Sequence, residues 1–118
     1  MSEYAGRIDD LAQRASEARE SFDPPDDPPD EERALSYLRE GFGPTVSVYL
    51  EARTGGRLTR FDGEEFDRLQ RAMNDWLALY ARCYGVSYDP EYTVRTAAEL
   101  VVDTHDVRDT AAVLTHVP

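Results

Sequence analysis

An all-α bundle of about five to six helices, its first helix held on a proline linker, is the fold class this sequence predicts. Three observations carry the prediction. Tyr4, Ile8, Leu11, Ala15, Ala18 and Phe22 recur at separations of 4, 3, 4, 3 and 4, which places them on one side of a helix. Phe66, Leu69, Met73, Trp76, Tyr80 and Cys83 repeat the pattern at 3, 4, 3, 4 and 3. The alternating Val46, Val48 and Leu50 are the one strand-like segment, and a lone strand without a partner is not stable.

The first stripe is narrow and contains alanines, which suits packing on a partner helix in this chain or in another copy. It ends at "DPPDDPPDEE". Four prolines there lack amide donors and push their predecessors out of the helical region, so residues 23–29 read as an extended, solvated linker. The organisation that follows is an amphipathic helix over residues 1–22, the linker over 23–29 and a helical domain over 30–118.

Asp30 is placed to cap a short helix carrying Ala34, Leu35 and Leu38, with Glu31 and Glu32 in its first turn and Gly41 placed to stop it. "GPTVSVYLEARTGG" alternates like a strand, but Pro44 at a first helical position and Gly55 beyond the end frame a helix. We read residues 44–54 as helix. Asp62 and Glu65 make a capping-box pattern, and Phe61 before the cap is placed to staple onto Phe66. The helix they open runs over 62–84 to Gly85, about 34 Å at 1.5 Å per residue, and forms the spine of the bundle. After Asp89-Pro90, Thr93 caps a helix with Val94, Ala97, Leu100 and Val101. A last helix begins near Asp106 and carries Val107, Ala111 and Leu114.

The chain has 118 residues, a net charge of −11 and 13 basic side chains, all of them arginine. An acidic surface repels itself in ordinary salt, but at molar salt the Debye length falls to about 3 Å and the penalty fades. The lysine-free, acidic composition resembles that of small cytoplasmic haloarchaeal proteins of uncharacterised families. The resemblance implies a habitat and a cytoplasmic location, not an activity. The lone Cys83 forms no intramolecular disulfide, which fits a reducing compartment. The N-terminus lacks a basic, apolar leader, and no stretch approaches the roughly 20 apolar residues of a membrane span. A membrane partner is therefore not expected, and no cofactor motif is present.

Three constellations remain. "ARTGGRLTRF" holds Arg53, Arg57 and Arg60 with no acid, an arginine group apt for an anion or for nucleic-acid phosphate, with Arg95 and Arg108 as possible helpers. Glu99, Asp103, His105, Asp106 and Asp109 cluster in sequence and would supply oxygen and imidazole ligands to a metal, though the spacing fits no established metal motif. Tyr4, Ile8, Leu11, Trp76, Tyr80 and Tyr84 lie on the two apolar stripes and are the candidate interface. The tail also has the outline of a helix-turn-helix, but Val102 stands where a turn glycine belongs and Arg108 sits between Asp106 and Asp109, an acidic setting that repels phosphate. The function expected is a non-enzymatic, self-associating interaction module. A nucleic-acid or anion-binding regulator is the first alternative and a metal-dependent enzyme the second.

Overall fold

The computed structural model describes residues 4–54, 61 and 63–117, and among them all regular structure is helical. α1 spans Ala5–Ser21, α2 Glu31–Tyr37, α3 Gly43–Thr54, α4 Gly63–Cys83, α5 Val94–Thr104 and α6 Val107–Thr115. A π-helical turn, Leu38–Phe42, joins α2 to α3 without a break. Counted as continuous rods, these are five helical segments, and the expected all-α bundle is observed.

α4 is the spine. Leu69, Met73, Leu77 and Tyr80 are wholly buried, and full burial of such a side chain is worth about 1.5–3 kcal/mol. Its end is the glycine stop the sequence announced. Gly85 takes φ +79°, its N–H bonds Arg82 O at 3.0 Å and the Val86 N–H bonds Ala81 O at 3.1 Å, which is a Schellman closure. Asp30, Thr93 and Asp106 cap their helices as read, accepting from the N–H groups of Arg33, Thr96 and Asp109. Gly55 and Asp62 lie outside the described residues. Phe61 is described, and its ring meets Tyr4 edge-on at 6.1 Å, joining the starts of α1 and α4.

α1 packs on α4 of the same chain, one of the two arrangements its stripe allows. Ile8, Leu11 and Ala15 are buried in the same core as α4, and Arg19 binds Asp75 at 2.8 Å and Asp89 at 3.2 Å. The linker itself is fastened down. The Asp30 N–H donates to Cys83 O at 2.8 Å, Arg33 donates to Asp23 O at 2.9 Å, and the Arg33 guanidinium lies 4.6 Å from the Phe22 ring centroid. Extended proline-rich chain thus runs back along the bundle, because the Asp23 carbonyl and the residues at its two ends have partners there.

The sequence reading is corrected at Gly41, which does not stop a helix but lies inside the π turn. Pro44 explains the geometry. In a regular α-helix its ring would press on the carbonyl four residues back, and widening the preceding turn by one residue relieves this while the Gly43 N–H bonds Leu38 O. The Thr45 hydroxyl then donates to Phe42 O at 2.6 Å. Gly41 is needed for a different reason, since its backbone lies against the Trp76 indole with no room for a Cβ. The strand-like alternation of Val46 and Val48 is explained as well. α3 buries Val46, Val48, Tyr49 and Ala52 between several neighbours, so its apolar residues follow no single stripe.

Burial also fixes an alkaline limit. The Tyr80 phenol is pushed up, first by burial and then by its hydrogen bond with Tyr84. Tyr37 and Cys83 are raised chiefly by burial too. Such groups keep protons that the unfolded chain releases, so their stabilising contribution is whole below the ordinary values of 9.0 for the thiol and 10.0 for the phenols. It is lost as the pH climbs through the raised ones. Thermal melts followed by circular dichroism should show a melting temperature unaffected by these groups up to about pH 9 and falling above it. Tyr80→Phe should shallow that fall, and an unchanged alkaline slope in this variant would contradict the assignment.

Candidate functional site

An open groove of about 730 Å3 runs along the π-helical turn. Its apolar floor comes from Leu35, Leu38, Pro44 and Val107. Three arginines from three separate parts of the fold line it: Arg7 near the start of α1, Arg39 in the π turn and Arg108 in the first turn of α6. Ser47, His105 and Asp106 complete the polar lining with Gly43. Each position follows from local folding. The π turn sets Leu38 and Arg39, and the left-handed His105, φ 56°, ends α5 and lets Asp106 cap α6.

The state of the three guanidinium groups differs. Arg7 is paired with Glu51 at 2.8 Å. Arg108 has its pKa raised, first by a hydrogen bond with the Tyr84 phenol, and Glu31 adds to the shift. Arg39 makes no ion pair with any described carboxylate. Among the described residues Arg39, Arg53, Arg71 and Arg108 form no ion pair with a carboxylate, and two of these four face this groove. The one carboxylate in the lining, Asp106, is engaged, since Oδ1 accepts the Asp109 N–H at 3.0 Å. The lining thus carries three guanidinium groups against one carboxylate on a chain of net charge −11, with donors suited to a carboxylate or phosphate.

A family model matches residues 2–118, nearly the whole chain. The chain belongs to DUF8055, a domain of unknown function. No curated protein and no solved structure matches the DUF8055 chain.

The arginine group read from sequence falls elsewhere. Arg57 and Arg60 lie outside the described residues. Arg53 lines a smaller groove of about 400 Å3 between α3 and α5 with Arg95, Glu99 and Asp103. Arg53 donates to the Tyr49 hydroxyl at 3.2 Å and Arg95 binds Glu99 at 3.0 Å, so carboxylates offset the cations there. Arg108, expected as a helper of this set, belongs to the other groove.

The carboxylate and histidine cluster of the DUF8055 chain is not assembled. Among the described residues no three His, Cys, Asp or Glu side chains converge as a metal centre. The turn divides four of the five expected ligands: Glu99 and Asp103 line the α3–α5 groove, while His105 and Asp106 line the π-turn groove, and Asp109 lines neither. The break at His105 equally rules out one helix carrying His105, Asp109 and His116 on a shared face.

Of the candidate interface residues, Ile8, Leu11, Trp76 and Tyr80 are core residues, and Tyr4 and Tyr84 pack partly buried against that core. Both stripes find their partners inside the chain, so neither presents a free face. What the linear reading missed is Arg7 and Arg39. A signal for part of the groove was present: neither Arg39 nor Arg108 has an acid three or four residues away on either side, the spacing at which helical arginines are neutralised.

Proposed function

We propose that the DUF8055 chain is a small non-enzymatic binding module whose ligand carries negative charge, held in the Arg7, Arg39 and Arg108 groove. The observation that carries this reading is the meeting of three arginines from separate elements, Arg39 among them making no ion pair with a described carboxylate, on one apolar-floored groove. Arginine keeps its charge at any pH a cell reaches and offers a planar fork of donors to carboxylate or phosphate. Gathered guanidinium groups over an apolar floor are features of a binding surface, and binding rather than turnover is the reading. The acidic, lysine-free composition supports a high-salt cytoplasm as the setting. There, screening leaves only direct contacts effective, and an arginine group gathered at one place matters more than net charge.

Calorimetric titration of octyl phosphate in molar KCl tests this. The wild-type chain should bind one equivalent, and Arg39→Ala should weaken binding by about tenfold or more, the usual loss for a charge-assisted hydrogen bond. Arg108→Ala should weaken it as well. Absent binding, or affinity unchanged in both variants, would overturn the proposal.

A further inference from the structure

We infer that the ligand is an amphiphile, a carboxylate or phosphate monoester head on a hydrocarbon body; this rests on the anion-binding reading above. The groove's proportions argue for the body. A volume of about 730 Å3 is in the size range of small-molecule clefts, and a bare phosphate or acetate would leave most of it to water. Its floor is apolar, and Leu35 is 38% exposed there. It is one of few large apolar side chains among the described residues to remain so open. Leu38, Pro44 and Val107 continue that surface, and the aliphatic stem of Arg39 can extend it while the guanidinium meets the head. A neutral lipid would gain nothing from Arg39, and a bare anion would gain nothing from the leucines. One molecule carrying both features uses the whole lining.

The test compares ligands on the intact chain by calorimetry in molar KCl: octanoate against acetate, octyl phosphate against inorganic phosphate, and octanol as the uncharged analogue. Each buried methylene is worth about fourfold in affinity, so with half of the six extra methylenes buried octanoate should bind about 50-fold tighter than acetate. Octyl phosphate should exceed inorganic phosphate similarly, and octanol should bind more weakly than either octyl anion. Which octyl anion binds better distinguishes the two heads. Leu35→Asn, at an exposed position, should weaken the octyl ligands and leave acetate and phosphate unchanged, with circular dichroism checking that the variant is folded.

Inorganic phosphate binding as tightly as octyl phosphate would overturn the amphiphile while leaving the anion-binding reading in place. Octanol matching octanoate would overturn both. If no ligand binds and light scattering shows a dimer that Arg39→Glu dissociates, the groove is occupied by a second copy and the inference fails.

Discussion

Gly41→Ala should destabilise the protein by about 3 kcal/mol or more, lowering the melting temperature by about 10 °C. A Cβ at this position would fall 2.5 Å from both Cε2 and Cε3 of Trp76, far inside contact distance. The indole is in the core, only 4% exposed, and it also meets the Tyr37 ring at 5.8 Å between centroids, so it has little room to retreat. Helix propensity alone favours alanine over glycine by about 1 kcal/mol, which makes the sign decisive. Denaturant unfolding followed by tryptophan fluorescence reads both stability and the indole's surroundings. A stabilised variant would show that the π turn does not hold Gly41 against Trp76.

Ile8→Ala should cost a similar amount, about 2–5 kcal/mol, from lost transfer energy and the cavity left behind. Ile8 is fully buried although it belongs to the helix that the proline linker separates from the rest. The prediction therefore addresses cooperativity as well as magnitude. Because α1 shares its core with α4, the variant should unfold in one transition shifted to lower denaturant. A loss confined to an early, small transition, with the main midpoint unchanged, would mean that α1 melts independently.

The two substitutions mark how far the sequence could be read. Ile8 was legible as a buried residue from its spacing, but not the surface that buries it. A linear pattern shows that a helix has an apolar side, whereas its partner depends on the path of the chain, here set by hydrogen bonds such as Asp30 N–H to Cys83 O. Gly41 was legible as special and misread as a stop, because glycine serves both for positive φ and for close approach, and only the packed Trp76 distinguishes them. Caps at Asp30, Thr93 and Asp106 were legible in full, since a capping side chain reaches only its own next turn.

The site was the least legible. "ARTGGRLTRF" drew attention because its arginines are adjacent, yet Arg53 shares its groove with Glu99 and Asp103. Arg7, Arg39 and Arg108 are far apart in sequence and meet only through the α1, π-turn and α6 geometry. The expected metal ligands show the same limit in reverse. Carboxylates close in sequence are sent to different grooves when a left-handed residue, His105, turns the chain between them.

If the groove along the π turn is where the DUF8055 chain meets an anionic ligand, amide chemical shifts will locate the contact. A 15N-labelled sample titrated with octanoate should show perturbations concentrated at Leu38, Arg39, Ser47 and His105 to Arg108, with smaller changes at Arg7. Perturbations centred instead on Tyr49, Arg53 and Val102, or no saturable change anywhere, would contradict it.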